Sequence, residues 1–397
     1  MSKPTNKKKK VGLPSRIVYA IAFVISKIIL AIKGVKIEFD RSALSDLKGP
    51  SVIIAPHTSA IDPILIGLAC YPKRLTFVVS EHFVTKPLTR FAFTKLAHVI
   101  TKKMFCPDAS TIMNIMRAKN EGNIVVIFPE GRLNSAPHSH PVTSGTAELI
   151  KKLGVDVYCI TANGASLAYP KWSKTFRKGR ISVTSQKLFD GSSLKLTDLR
   201  HISEVIDGAI LHDDEKAMYT EEYICADTTK GLDKLLYKCP RCFAEFKTYS
   251  DSSHIECKGC GFVTKHSIMN YFEDCRFSTI NEWYLWQYDE LDIDTKFEFD
   301  ADIGVVNEKG NMDLEAGKAH ITLDKDFFKF NGTVYSEPLE FELSTPKIGG
   351  TPYTANREFD IYFDKRLYYI MPEDRRTVVK YAMFIDKVCQ HYNNERA

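Results

Sequence analysis

Residues 51–63 read SVIIAPHTSAIDP, and this stretch decides the fold of the first half of the chain. The apolar run Val52–Ala55 has the length and the β-branched composition of a buried strand. His57 follows the run, and Asp62 comes five residues later, directly before Pro63. Because proline suits the first helical position and aspartate suits the cap before it, the stretch predicts a strand, a turn and then a helix.

The same alternation of short apolar runs and helical stretches continues through residues 35–200. We predict strands and helices at the following positions: strands Ser51–Ala55, Leu75–Val79, Ile124–Phe128, Val155–Ile160 and Ile181–Thr184, and helices Ala109–Asn120 and Thr146–Leu153. Strands that alternate with helices indicate an α/β domain with a largely parallel sheet. We therefore predict such a domain over residues 35–212 and a helical linker over residues 213–236.

The charge of the chain is divided unevenly along its 397 residues. Residues 1–200 contain 31 Lys and Arg and 12 Asp and Glu, a net charge of +19, whereas the rest contains 23 and 37, a net charge of −14. A basic half is typical of proteins that meet anions such as lipid headgroups, acidic carrier proteins or nucleic acid. The ten cysteines, scattered apart from one group of four, indicate a reducing compartment rather than a disulfide framework.

The N-terminus combines the lysine run Lys7–Lys10 with the apolar stretch Ile17–Ile32. This stretch is shorter than the about 20 apolar residues of a spanning helix, and no small-residue cleavage site follows it. We therefore predict, over residues 1–34, a basic N-terminus and a membrane-associating helix that lies in the bilayer surface. A spanning helix and a helix packed on the protein core are the alternatives. In both membrane cases the basic flanks place the following domain on the cytoplasmic face.

His57 and Asp62 are candidates for a catalytic pair. Residues five apart on a regular helix point about 140° away from each other, so the two can meet only if His57 lies in the turn. Asp62 could then accept a hydrogen bond from one ring nitrogen and leave the other to take a proton from a substrate hydroxyl. The end of a strand is also where α/β sheets place active sites. The alternative is that Asp62 only caps a helix.

A second predicted strand end is followed by an acidic and a basic residue. Residues 125–132 read VVIFPEGR, so Glu130 and Arg132 come shortly after an apolar run. Arg132 could grip a phosphate bidentately, and Gly131 allows close approach of the backbone. Glu130 could orient Arg132 or bind a hydroxyl. The alternative is a surface turn with a local ion pair.

HTSAID followed by FPEGR, each after a predicted strand, resembles the glycerolipid acyltransferase family of lysophospholipid and glycerol-phosphate acyltransferases. The resemblance covers about residues 14–190. It implies that His57 is the general base and that Asp62 is its partner. It also implies that three residues of the second block help to bind the phosphate of the acyl acceptor, namely Glu130, Gly131 and Arg132.

The resemblance implies transfer of an acyl group from acyl-coenzyme A or acyl carrier protein to the free hydroxyl of lysophosphatidate, in phospholipid biosynthesis and without a catalytic cofactor. Lys103 stands where the family's second motif usually has an arginine. It would attract the same phosphate, but it lacks the planar guanidinium that binds phosphate bidentately. Acylation of another lysophospholipid or of glycerol 3-phosphate is one alternative, and a non-catalytic lipid-binding or regulatory protein is another. Because binding needs no base beside a carboxylate, His57 and Asp62 favour an enzyme.

Two C-x-x-C pairs lie fourteen residues apart, and their cysteines are Cys239, Cys242, Cys257 and Cys260. This spacing is typical of a structural four-thiolate zinc site, so we predict a zinc ribbon over residues 237–266. Acidic residues are interspersed with the basic ones there, so we expect no nucleic-acid partner. We interpret His138 and His140, in the sequence PHSHP, as loop residues rather than metal ligands.

The last part of the chain, residues 267–397, is rich in short alternating stretches. We predict strands at Lys296–Phe299, His320–Leu323, Phe327–Phe330, Leu339–Leu343 and Phe359–Phe363. An amphipathic helix over about residues 374–392 closes the chain. The order of elements resembles a pleckstrin-homology or GRAM-like sandwich, so we predict a β-rich C-terminal domain that ends in a helix.

Overall fold

The computed structural model of the protein describes residues 10–84, 86–103, 108–173, 175–307, 311–364 and 366–394. An α/β domain comes first and contains seven strands: β1 (Val35–Phe39), β2 (Ser51–Ile54), β3 (Leu75–Ser80), β4 (Ile100–Lys102), β5 (Ile124–Ile127), β6 (Asp156–Asn163) and β7 (Gly179–Phe189). Its helices are α1 (Arg16–Ile32), α2 (Asp62–Cys70), α3 (Pro87–Phe91), α4 (Ala109–Asn120), α5 (Thr146–Leu153), α6 (Ala165–Ala168), α7 (Gly191–Leu194) and α8 (Leu199–Ile210).

The seven strands form one sheet in the order β1-β7-β6-β2-β5-β3-β4. Every pairing is parallel except that of β6 with β7. The predicted α/β domain with a largely parallel sheet is therefore confirmed. The sequence did not reveal β1 and β4, because these edge strands are short and carry lysines.

The sheet is covered on both faces, as its apolar strands require. Side chains alternate along β2, so that Ile53 joins the core beneath α2 while Val52 and Ile54 join the core on the opposite face. α5 and α8 pack on that second face, to which Ile150 and Ile206 contribute.

The helix α1 begins at the cap Ser15, whose side chain accepts a hydrogen bond from the amide of Val18. Leu30 is its one buried residue, and Ile17 and Ile32 are 74% and 76% exposed. Leu30 belongs to the core beneath α2 and Phe23 packs against it, so one side of the helix is packed on the protein, as one of the alternatives predicted, while Ile17 and Ile32 are exposed. Among the residues that the structure describes, no helix is long and apolar enough to cross a membrane.

The segment predicted as a helical linker, residues 213–236, is mostly irregular, so that prediction is wrong. It contains the four-residue helix α9 (Asp214–Ala217) and a single 3-10 turn at Leu232–Lys234. Tyr223 and Leu235 are each fully buried against neighbouring elements. The segment thus packs against its neighbours through single buried residues rather than through one face of a continuous helix.

The second half of the chain contains a small antiparallel sheet and a large one. The small sheet comprises β8 (Thr248–Ser250), β9 (His254–Cys257), β10 (Val263–His266) and β11 (Phe272–Glu273). The large sheet comprises β12 (Phe297–Val306), β13 (Met312–Leu323), β14 (Phe327–Val334), β15 (Glu337–Ser344), β16 (Tyr353–Thr354), β17 (Glu358–Phe363) and β18 (Arg366–Pro372). The helices are α10 (Ile280–Asp289) and α11 (Val378–Asn394).

The large sheet has the order β15-β14-β13-β12-β18-β17-β16, and each of its pairings is antiparallel. α11 packs on it through residues such as Phe384, and a single hydrophobic core joins the small sheet, α10, α11 and the large sheet. The predicted β-rich C-terminal region with a terminal helix is confirmed. Its likeness to a pleckstrin-homology or GRAM-like domain stays a prediction.

Candidate active site

His57 lies in the turn between β2 and α2, at the carboxyl end of the parallel strands. Its Nδ1 is 3.0 Å from Oδ2 of Asp62, and the same carboxylate oxygen accepts a hydrogen bond of 2.9 Å from the amide of Ser59. Asp62 is the first residue of α2, whereas the cap is Ile61, which makes no side-chain capping bond. The expectation that Asp62 caps the helix is therefore wrong, because its carboxylate is directed back into the turn.

The contact between His57 and Asp62 fixes the orientation of the imidazole. Because a carboxylate accepts hydrogen bonds, the contact selects the tautomer of the neutral imidazole that has its proton on Nδ1 and its lone pair on Nε2. The ring stacks on Phe128 with centroids 4.1 Å apart, and its side chain is 19% exposed. Burial raises the pKa of the Asp62 carboxyl, and the hydrogen bonds from His57 and Ser59 oppose that shift. The arrangement can present Nε2 as a base.

Glu130 lies beside this pair and supports the backbone of the turn. Its Oε1 accepts a hydrogen bond of 2.7 Å from the amide of His57. Its Oε2 accepts from the amide of His140 at 2.6 Å and from the side chain of Asn134. Glu130 does not contact the guanidinium of Arg132, so the predicted alternative in which it orients that arginine is wrong. Three donors leave its carboxylate little capacity for a substrate hydroxyl.

Arg132 is buried and is bound to the C-terminal domain. Its Nη1 and Nη2 donate to the two carboxylate oxygens of Asp386, on α11, at 2.9 and 2.6 Å. Nη1 also donates to the carbonyl of Thr351 at 3.0 Å, and Nη2 lies 3.0 Å from Nδ1 of His140. Burial alone lowers the pKa of Arg132, but the charge of Asp386 raises it above its usual value. The expectation of a guanidinium that is free to grip a phosphate is therefore not met.

Two of the predicted phosphate residues remain, and only one of them lines the cavity beside Arg132. Gly131 has a φ of 75°, in the left-handed region, and it lines a cavity together with Glu130 and Arg132. Lys103 follows the end of β4, where its amide donates to Asp108. It does not line this cavity, whereas Lys102 does.

His138 and His140 lie in the irregular segment between β5 and α5, as predicted. Both are half-buried, and desolvation lowers the pKa of His138 to about 4 and that of His140 well below its usual value. Nδ1 of His140 accepts from Arg132. Both are therefore loop residues, and His140 contributes to the hydrogen bonding of Arg132.

Asp214 is a residue of the site that the sequence reasoning missed. This buried carboxylate accepts hydrogen bonds of 2.7 Å from Nε2 of His212 and of 2.9 Å from the amide of Ser166, and its Oδ2 lies 3.4 Å from the hydroxyl of Thr58. Thr58 follows His57 in the turn, so Asp214 connects that turn to the end of β6. The run His212–Glu215 gave no distinguishing signal, because polar residues after a helix are ordinary in a linker.

The four predicted metal ligands come together at the ends of the small sheet. Their Sγ atoms all lie within 4.8 Å of one another, and the Cys239–Cys260 and Cys242–Cys257 pairs are each 3.8 Å apart. A tetrahedral zinc site with Zn–S bonds of about 2.3 Å has S–S edges of about 3.8 Å. Four cysteines that could hold a metal ion are thus present in the right geometry.

With this geometry established, the chain can be compared with known proteins. Residues 35–163 match the acyltransferase family model. This part of the chain is an acyltransferase-family domain. The matched range includes both the HTSAID and the FPEGR stretches, so the resemblance to the glycerolipid acyltransferases is confirmed. We therefore refer to the first α/β unit as the acyltransferase domain.

A solved structure is also similar to the chain. It is the 1-acyl-sn-glycerophosphate (LPA) acyltransferase PlsC from Thermotoga maritima, with 17% sequence identity and a TM-score of 0.40. The similarity covers 49% of the present chain and 79% of that one. The small antiparallel sheet and the β-rich domain lie beyond the range of the family match.

Proposed function

We propose that the protein transfers a fatty acyl group from a thioester, acyl-coenzyme A or acyl carrier protein, to the free hydroxyl of lysophosphatidate. The contact of His57 with Asp62, inside an acyltransferase-family domain, is the observation that carries the proposal. An imidazole held by a carboxylate at one nitrogen is suited to take a proton at the other. General bases of this kind typically contribute about 10²–10⁴-fold to a rate.

The reaction needs two proton transfers, one from the acceptor hydroxyl to His57 and one from His57 to the departing sulfur. Nε2 of His57 removes the proton of the acceptor hydroxyl while the oxygen attacks the thioester carbonyl carbon. The tetrahedral adduct then collapses, the C–S bond breaks, and the departing sulfur takes the proton back from Nε2. Asp62 stabilises the imidazolium in between, and the buried Glu130 holds the turn in place through the amide of His57. No covalent bond to the enzyme and no catalytic metal take part.

A transfer assay with separate donors and acceptors tests this proposal. Full-length protein in detergent should form phosphatidate from lysophosphatidate with at least one of acyl-coenzyme A and acyl carrier protein. Lysophosphatidylcholine and glycerol 3-phosphate, offered at the same concentration, should be poorer acceptors. If the protein prefers either of these acceptors, that acceptor and not lysophosphatidate is its substrate. If the protein acylates none of the three, an acyltransferase reaction with these acceptors is contradicted.

We also propose that α1 binds the surface of a membrane on its cytoplasmic face, which would bring the domain to its lipid substrate. Ile21 and Ile28 are about half exposed and lie seven residues apart, on one side of the helix. Replacing both with aspartate should abolish co-flotation with phosphatidylglycerol vesicles. The control is the same double replacement at Leu196 and Leu211, which are more exposed and lie outside α1. Equal flotation of both variants would refute the role of α1.

We propose that the four cysteines hold a structural zinc ion, with every ligand position filled by the protein. The ribbon shares its core with the C-terminal domain, so loss of the metal should destabilise both. We expect one zinc per chain by metal analysis, and we expect that Cys257→Ser loses the metal and melts at a lower temperature. Cys225, which lies outside the cluster, provides the matched control Cys225→Ser. A metal-free wild type would contradict this proposal.

A further inference from the structure

A cavity of about 460 Å³ lies where α1 begins, and we name it the α1 cavity. The helix contributes Arg16 and Tyr19 to its lining, and Leu13 precedes them. The turn between α2 and β3 contributes four residues, namely Tyr71, Pro72, Lys73 and Arg74. The volume is within the range of about 300–1,000 Å³ typical of small-ligand sites.

The α1 cavity is remote from the catalytic turn. Arg74 directly precedes β3, whereas His57 follows the end of β2. β2 and β3 both run parallel to β5, so the cavity and the turn lie at opposite ends of the strands. A ligand of the cavity is therefore not the acyl acceptor that reacts at His57.

The lining of the α1 cavity is strongly basic. It contains the three cations Arg16, Lys73 and Arg74 and, among the residues that the structure describes, no carboxylate. None of the three forms an ion pair with a carboxylate in that part of the chain. Lys73 and Arg74 are held by backbone carbonyls, since they donate to Leu44 and Pro14 at 2.6 and 2.7 Å. An anion in the cavity would therefore be attracted by three cations without displacing an existing ion pair.

The sides of α1 indicate where such an anion would come from. Phe23 faces the protein, where it stacks on Tyr71 with centroids 3.9 Å apart. At about 100° per residue, Ile21 and Ile28 lie on the opposite side of the helix, and Arg16 lies at the margin of the packed side. A helix of about 10 Å diameter that buries its apolar side by about 5–10 Å places this margin at the level of the lipid headgroups.

We propose that the α1 cavity binds the phosphate headgroup of an anionic glycerophospholipid of the membrane, with the acyl chains of the lipid beside the exposed isoleucines of α1. This inference rests on the proposed function in one respect, which is the binding of α1 to a membrane surface. Arg16 and Lys73 donate charge-assisted hydrogen bonds to the phosphate. A soluble phosphate has the same charge but makes no contact with the isoleucines. The cavity thus lets the protein distinguish membranes by their lipid composition, which an apolar helix alone does not do.

Calorimetric titration of the full chain with dihexanoyl phosphatidylglycerol, kept below the concentration at which it forms micelles, tests the site without a membrane. We expect Arg16→Gln together with Lys73→Gln to weaken binding about 30-fold, since each cation beside an anionic lipid contributes about fivefold. The matched control is Lys195→Gln together with Arg200→Gln, which removes the same charge from exposed residues outside the cavity. Unchanged affinity in the first variant, or an equal loss in both variants, would overturn the inference. Inorganic phosphate that binds as tightly as the lipid would overturn the assignment to a lipid.

Co-flotation with vesicles separates this inference from the proposed role of α1. The wild type should prefer vesicles of phosphatidylcholine that contain phosphatidylglycerol over vesicles of phosphatidylcholine alone, and Arg16→Gln together with Lys73→Gln should lose this preference. If the wild type floats with vesicles but does not bind the short-chain lipid, the membrane role of α1 stands and the lipid site is overturned. If it binds the short-chain lipid through Arg16 and Lys73 but floats with no vesicles, the proposed role of α1 fails and the lipid site stands.

Discussion

Replacement of His57 by alanine is expected to lower the rate of acyl transfer at least about 100-fold, because it removes the base at the reacting hydroxyl. Asp62→Asn should cause a loss of the same order, since an amide that faces Nδ1 no longer selects the tautomer with its lone pair at Nε2. The two residues act as one unit. The double variant should therefore be at most a few-fold slower than His57→Ala.

The matched control for this series is His320, which lies 2.8 Å from Asp300 on the exposed face of the large sheet. His320→Ala removes an imidazole paired with a carboxylate in the same way, but at a site far along the chain from the catalytic turn. It should leave the rate unchanged. Near-normal turnover by His57→Ala, with the protein folded, would show that another group accepts the proton.

Asp386→Ala is expected to destabilise the protein by about 3–5 kcal/mol, because it leaves the guanidinium of Arg132 buried without its partner. Both side chains are more than nine-tenths buried, so solvent screening is small. Replacing both residues with apolar ones, Arg132→Met together with Asp386→Leu, should restore most of the stability. Urea unfolding of the three proteins, followed by circular dichroism, measures the differences.

A partly exposed pair provides the control for this effect. Arg375 bonds Asp302 at 2.8 Å on the same domain, with side chains 31% and 42% exposed. Asp302→Ala should cost no more than about 1 kcal/mol. A different result for Asp386→Ala, namely unchanged stability with faster acyl transfer, would mean that Asp386 competes with substrate for Arg132 rather than holding the domains together.

The sequence was most informative where the decisive contacts are local. His57 and Asp62 are five residues apart, and a strand end followed by Asp-Pro already limits how they can meet. Five of the seven strands of the acyltransferase domain were visible as apolar runs, and the four cysteines were visible through their fixed spacing. The reversed direction of β7 was not visible, because the hydrophobic pattern of a strand is the same in both directions.

The roles of the FPEGR residues depend on distant parts of the chain, so they could not be predicted. Arg132 is 254 positions from its partner Asp386, and no local pattern indicates that α11 provides the counter-charge. Glu130 lies 73 positions from His57, whose amide it binds. Asp214 was missed for a related reason. A segment interpreted as a helical linker instead carries a buried carboxylate that reaches the turn after β2.

The most direct measurement is the stoichiometry of the reaction with full-length protein, thioester donor and lysophosphatidate, beside the His57→Ala variant. Free thiol and phosphatidate should be counted in the same sample over the same time. We predict one thiol released for each phosphatidate formed by the wild type, and at least about 100-fold less of both with the variant. Thiol release without phosphatidate, or equal rates in the two proteins, would contradict an acyltransferase that uses His57 as its base.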